Sequence, residues 1–363
     1  VLCDKNFPTK TNKILFSNTK DDKKNIIKIN NWFKIDEIIN GYWSTQHLKK
    51  LSSILLKKKD ILDLNQIHNG INSKVYNLKF KKNKNLILKI YPFEDNFVSR
   101  RMRVENDSLK YLKKNNFPVP GIYKSFFEFN CSFYEFQSGK KNLKATKQLI
   151  DQCYDFLKKL FLLSKKTKIN LFPNAKEACF NPNEICEQIE KKFNNLLKIN
   201  NKALNNFLLL EFQDLFTKFS KIVKSKLGKK FKNNISNSNR ILSPSDFGLH
   251  NTLSEKNKLY FLDFEYFGWD DPIKLICDFF WHPGNNMSKK LKDRFLNKVT
   301  NFFSKKYKNF KNKLYVLLPL YGLRWCLIIL NCFVKKNYKN KILETQQLKK
   351  AKKILNQVSH YGY

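Results

Sequence analysis

Two kinds of patterning meet near residues 138–141 of this 363-residue chain. From Asn65 to Phe136 the apolar residues come in short runs of strand type with one helical pattern among them; after Gly139 the patterns are long and helical. Only Ile241 to Phe264 interrupts the second stretch, as two short apolar strands around a polar loop. A small β-rich lobe followed by a larger, mainly helical one is an α+β organisation. The expected divisions are an N-terminal extension at 1–60, partly helical, a first lobe at 61–138 and a second at 139–363. No internal repeat is present.

In the first lobe Tyr76, Leu78 and Phe80 alternate with Asn77 and Lys79, the polar run 81–85 turns the chain, and Leu86 to Tyr91 returns it. That spacing predicts a hairpin. Phe97 to Lys114 has helical spacing, Phe117-Pro118-Val119-Pro120-Gly121 ends it, and strands are expected at Ile122–Phe129 and Ser132–Phe136. Residues 1–60 are Lys-rich, with a helix expected around Thr45–Leu56 and no chemistry assigned.

One acid in that lobe is out of place. Val98, Met102, Leu109 and Leu112 form an apolar stripe, and Glu105 lies among them. A buried carboxylate without a partner costs several kcal/mol, roughly, so Glu105 needs a cation or the rim of the stripe. Lys89, which interrupts the apolar strand Leu86-Ile87-Leu88-Lys89-Ile90, is the expected partner.

The second lobe's polar loop is Ser243-Pro244-Ser245-Asp246-Phe247-Gly248-Leu249-His250-Asn251, followed by Leu259-Tyr260-Phe261-Leu262-Asp263-Phe264-Glu265. If Thr252–Leu253 and Leu259–Leu262 pair across a turn at Ser254–Lys258, Asn251 and Asp263 meet at the mouth of one hairpin. An amide oxygen beside a carboxylate suits Mg2+, which takes one or two protein oxygens and fills the rest of its shell with water and phosphate. Asp246, five residues before Asn251, could then reach a substrate hydroxyl.

Composition narrows the field. Ten Gly, the nearest two sixteen residues apart, exclude GxGxxG, Walker A and GxSxG motifs. Eight Cys without a CxxC and five scattered His offer no zinc spacing, and the thiols are expected to be reduced, as in a cytoplasm. The chain begins Val1-Leu2-Cys3-Asp4-Lys5, without an apolar signal core or an initiator Met, and no export is expected. Lys plus Arg number 70 against 30 acids, a net charge of +40, but only six are Arg, the residue that phosphate and base recognition favours. Dispersed Lys point to solvated surface, and no specific nucleic-acid partner is expected. Leu314 to Val334 is nearly long and apolar enough to span a bilayer. Arg324 at its middle, with Pro319 and Gly322, argues for a buried helix and no membrane span.

Together these residues resemble the aminoglycoside phosphotransferase or choline-kinase-like family, over about Asn65 to Phe333. The resemblance rests on Leu88-Lys89-Ile90, Glu105, Pro118-Val119-Pro120, Tyr134-Glu135-Phe136 with Gly139, Ser243 to Asn251 and Phe261 to Pro272. It implies a two-lobed protein-kinase-like fold, with Asp246 as catalytic base, Asn251 and Asp263 on Mg2+, Lys89 on the ATP phosphates and Glu105 orienting Lys89. The Glu135 and Phe136 backbone would lie against adenine, and the turn around Gly70 and Ser73 over the phosphates. The loop Ser-Pro-Ser-Asp-Phe-Gly-x-His-Asn is similar to one uncharacterised branch of that family. Pro244 stands where the family usually has His, so the loop needs another brace. Leu275 stands where it usually has Asp, with Asp278 one turn later as a substitute.

The expectation is an ATP- and Mg2+-dependent transfer of the γ-phosphate to a hydroxyl of a small molecule such as a sugar, amino alcohol or aminoglycoside. Glu187, Glu211 and Asp214 are possible polar contacts for the acceptor. The alternatives are a protein kinase, and a pseudokinase or basic scaffold without turnover. Asp263 is separated from Asp271-Pro272 by seven residues and no Ala-Pro-Glu follows, which leaves no room for a protein kinase's activation segment.

Overall fold

The computed structural model describes residues 45–69, 73–92, 99–142, 144–334 and 340–361. Gly70 and Val98 therefore lie outside the described residues, as does the extension before Thr45. In chain order the elements are α1 (Thr45–Leu56), β1 (Ile61–Asn69), β2 (Lys74–Phe80), β3 (Leu86–Ile90), α2 (Arg100–Lys114), β4 (Ile122–Phe126), β5 (Cys131–Glu135) and β6 (Lys140–Lys141). Next come α3 (Lys147–Ser164), α4 (Pro182–Leu197), α5 (Lys202–Asn206), α6 (Gln213–Leu227), β7 (Ile241–Ser243), β8 (Thr252–Glu255), β9 (Lys258–Phe261) and β10 (Gly268–Asp270). The last are α7 (Pro272–Trp281), α8 (Lys289–Phe303), α9 (Phe310–Ile329) and α10 (Lys341–Ser359). The fold is α+β, and packing divides it into two units. One takes the chain through Lys140 together with Leu253–Tyr266; the other takes Lys141–Thr252 and everything from Phe267 on.

The first unit is a five-stranded antiparallel sheet in the order β1-β2-β3-β5-β4. The alternation along β2 buries Tyr76, Leu78 and Phe80, which pack with Leu86, Leu88 and Ile90 of β3 and with Leu48, Leu51 and Leu55 of α1. Helix α2 follows Ser99, whose backbone N–H donates to Asn130 Oδ1 at 2.8 Å, while the Asn130 carbonyl accepts from Tyr91 N at 2.8 Å. Asn130, in the left-handed region at φ 44°, thus holds the chain at both Tyr91 and Ser99. The helix described therefore begins at Arg100, three residues later than the spacing from Phe97 predicts. The β8–β9 turn is also tighter than expected. Lys256 and Asn257 alone make it, both at positive φ (46° and 64°), the two-residue geometry that matches the twist of paired strands. The strands accordingly extend to Glu255 and from Lys258.

In the second unit α9 packs against α4, α6, α7 and α10. Among the described residues it is, with the short turn after it, the one helix long and apolar enough to cross a membrane, but 78% of that window is buried in the fold. Arg324 explains how a charge sits there: its guanidinium donates to Asp278 at 2.9 Å, Glu177 at 2.6 Å and Gln188 at 2.9 Å. Helix α7 starts where Asp271-Pro272 predicts, with the Asp271 carboxylate accepting from Ile273 N at 2.6 Å. It buries Ile273, Leu275, Ile276, Phe279 and Phe280.

Candidate active site

In the first unit three carboxylates converge on one lysine. Lys89 Nζ, carried by β3 into the interior, lies 2.6 Å from Glu105 Oε2, 2.8 Å from Asp263 Oδ1 and 3.2 Å from Glu265 Oε2. The expected Lys89–Glu105 pair is thus formed. Burial works against the ammonium, but the charges of Asp263, Glu105 and Glu265 outweigh it and hold the Lys89 pKa well above its ordinary value. Glu105 accepts two further bonds, from Tyr91 Oη at 2.6 Å and from Phe264 N at 3.2 Å. Behind it Tyr91 and Tyr134 share a 2.5 Å hydroxyl contact, and Tyr134 donates to Asn106 at 3.0 Å.

Asp263 keeps 40% of its side chain exposed and takes a left-handed backbone, φ 64°, which costs a non-glycine residue roughly 1–2 kcal/mol. Outliers of that kind cluster at sites where orientation matters. Ser73, expected over the phosphates, donates its hydroxyl to Glu265 Oε2 at 2.9 Å. Glu135 and Phe136, at the end of β5, are exposed. The Glu135 carboxylate accepts from Gly121 N at 2.9 Å and pairs with Lys113 at 3.1 Å.

In the second unit Asp246 stands on the loop after β7. Ser245, at φ 67°, is held there by bonds from its N–H to Ser243 Oγ and from its Oγ to Lys176 O, both 3.0 Å. Phe247 and Leu249 anchor the loop by burial; the Phe247 ring packs 5.1 Å from Phe279 and 5.8 Å from Phe156. Asp246 Oδ1 lies 3.2 Å from His250 Nε2 and 3.4 Å from His282 Nε2. Burial opposes ionisation of Asp246, but the two imidazoles override it and hold its pKa well below the carboxylate range. Asn251 Nδ2 donates to the Asp246 backbone carbonyl at 3.0 Å and to its carboxylate at 3.3 Å. That orientation leaves Asn251 Oδ1 as the acceptor end. Asn251 Oδ1 in the second unit, and the partly exposed Asp263 carboxylate in the first, are each a hard oxygen donor of the kind Mg2+ takes.

Other predicted positions are spent elsewhere. Asp278 is buried against Lys274 at 2.8 Å, Arg324 and Trp325 Nε1, the last two at 2.9 Å. Glu187, Glu211 and Asp214 are exposed; Glu187 accepts from Asn183, and Glu211 pairs with Lys352. Glu265, Tyr91, His282 and Asn285 are participants that patterning did not find. The one signal available was scarcity: His282 is one of only five His.

The sequence from 63 to 299 matches the model of the Phosphotransferase enzyme family. The chain belongs to that family. Membership makes it a phosphotransferase enzyme. A search of curated proteins gives no match. Solved structures share the fold. A choline kinase from Streptococcus pneumoniae is similar with a TM-score of 0.55 at 16% identity, over 86% of this chain and 98% of its own. A Plasmodium vivax ethanolamine kinase gives 0.56 at 17% identity, over 95% and 99%. A spectinomycin phosphotransferase solved with ADP and spectinomycin gives 0.58 at 14% identity, over 88% and 99%. The two-lobed, kinase-like architecture of this phosphotransferase is the one expected from its sequence.

Proposed function

We propose that this phosphotransferase moves the γ-phosphate of ATP, with Mg2+, to a hydroxyl of a small polar molecule of the amino alcohol, sugar or aminoglycoside kind. The observation that carries the proposal is Lys89 held between Glu105 and Asp263, because an ammonium fixed by a helix acid and a loop acid is equipped to neutralise transferring phosphates. Lys89 binds the phosphate oxygens and Glu105 fixes its position. Gly70 and Ser73 cover the phosphates, Ser73 exchanging Glu265 for a phosphate oxygen, and the backbone of Glu135 and Phe136 meets the adenine. Asn251 Oδ1 and Asp263 would hold Mg2+, which would supply charge neutralisation at the phosphates. Asp246 orients the acceptor hydroxyl and takes its proton as the oxygen bonds to phosphorus and the bond to the ADP oxygen breaks.

The acceptor is a small molecule because the chain passes from Asp263 to the Asp271 cap of α7 within eight residues, too few for a polypeptide-docking segment. Among the described residues the cysteines form no disulfide, which suits a reducing cytoplasm. The test is ADP release from ATP and Mg2+ across a library of sugars, amino alcohols and aminoglycosides. Stimulation by one class names the acceptor; a flat response across the library, with ATP bound, contradicts the proposal.

A further inference from the structure

The Asp246 loop is braced by residues that follow it by more than thirty positions. Pro244 has no side-chain donor to offer. The turn His282-Pro283-Gly284-Asn285, directly after α7, supplies two contacts in its place. Asn285, 1% exposed, accepts from Leu249 N at 2.6 Å and donates to the Phe279 carbonyl at 2.6 Å, so it ties the loop backbone to the end of α7. His282 places Nε2 3.4 Å from Asp246 Oδ1.

Three contacts hold the His282 ring. Its plane stacks on His250 at 3.9 Å and 3°, and Trp325 packs on it at 4.5 Å and 70°. Its Nδ1 accepts from Gly284 N at 2.9 Å. An acceptor nitrogen carries no proton, so the neutral ring bears its hydrogen on Nε2, facing Asp246. Burial lowers the His282 pKa, in keeping with the neutral form. The approaches are close: a Cβ on Gly248 would stand 2.6 Å from His250 Nδ1 and 2.7 Å from Asn285 Oδ1, so those side chains would have to shift, and one on Gly284 would stand 2.9 Å from His282 Cε1.

Asp246, His250 and His282 lie within 4.8 Å of one another, a spacing that a cation could use. The Nε2–H tautomer argues against that use, because a protonated ring nitrogen has no lone pair for a metal. It leaves Nε2–H as a donor 3.4 Å from a carboxylate oxygen.

We propose that His282-Pro283-Gly284-Asn285 is the positioning element of the Asp246 loop, with His282 Nε2–H orienting the Asp246 carboxylate and Asn285 holding the backbone at Leu249. The inference rests on Asp246 being the base. At 3.4 Å the contact is long for a hydrogen bond, and a small shift of either side chain closes it. A misplacement of about 1 Å can cost on the order of 100-fold, so a positioning residue acts on kcat. His282→Ala should lower kcat about 10-fold or more, with the KM for ATP changed less than about twofold. His282→Gln, whose amide N–H reaches a similar point, should recover most of the loss.

The experiment measures these variants in the full chain, with the hydroxyl compound that gives the fastest ADP release. Beside it, long-range 1H–15N spectra assign the His282 ring by its disappearance in His282→Gln. The expected spectrum has a bare Nδ1 and a protonated Nε2. A proton on Nδ1, or a His282→Ala enzyme with more than half of the wild-type kcat while Asp246→Asn is inactive, overturns the inference and leaves the base assignment standing. If Asp246→Asn is also active, the base assignment falls as well.

Discussion

Glu105 Oε2 and Lys89 Nζ lie 2.6 Å apart, with 4% and 9% of their side chains exposed. At that burial Glu105 keeps its charge only beside the Lys89 ammonium, which Asp263 and Glu265 also hold, so removing Lys89 strands Glu105 in the interior. The pair therefore acts as one unit.

The activity losses of Lys89→Ala and Glu105→Ala should overlap strongly in the double variant. Coupling of about 1–3 kcal/mol is expected for residues in direct contact. Steady-state kcat/KM for the four members of the cycle measures it, and losses that simply add would separate the two roles.

Arg324 predicts a stability effect with no catalytic counterpart. Arg324→Met leaves Asp278 and Glu177 without their shared guanidinium in the core of the second unit. Asp278 keeps Lys274 at 2.8 Å and Glu177 keeps Lys192 at 2.7 Å, so the cost falls below the roughly 3–5 kcal/mol of a buried charge left with no partner. Urea denaturation should show a lower midpoint at an unchanged slope. A midpoint equal to wild type would mean that the apolar packing of α9 suffices.

A pH dependence follows from Glu177. Burial raises its pKa, but Arg324 and Lys192 prevail and bring it down to about 2 from an ordinary 4.5. A carboxyl depressed in the folded state contributes stability that is fully present above its unfolded pKa and is lost as pH falls through the folded value. The window is therefore about pH 4.5 down to about 2. Glu177 is 37% exposed, so solvent screening holds the contribution to about 1 kcal/mol. The Tm gap between wild type and Glu177→Gln should narrow across that window; a gap independent of pH would contradict the assignment.

Much of this was legible because burial leaves periodic traces. Lys89 inside an apolar strand and Glu105 on an apolar helix stripe are contradictions of pattern, and a pairing resolves both. Asp271-Pro272 gives the start of α7 because capping is local. What patterning does not carry is long-range approach. Nothing within a few residues of His282 says that it reaches Asp246, since that contact depends on the path of α7. Glu265 escaped because Ser73 and Lys89, its partners, are far away in the chain. The two-residue turn at Lys256–Asn257 escaped because lysine is an unusual left-handed residue, so a longer turn was the natural reading.

Acceptor class has a direct assay. With γ-labelled ATP and Mg2+, casein and histone should remain unlabelled, since the seven residues between Asp263 and Asp271 cannot form a polypeptide platform. Strong labelling that disappears in Asp246→Asn would turn the account toward a protein kinase.

The most direct measurement is turnover of Asp246→Asn with ATP, Mg2+ and the best small hydroxyl acceptor, taken together with its ATP affinity. An amide keeps the shape of the side chain and the contact with Asn251, but cannot take the proton. The account predicts a loss of about 100- to 10,000-fold in kcat with ATP binding and thermal stability close to wild type. A variant that keeps more than half of the wild-type turnover would contradict it.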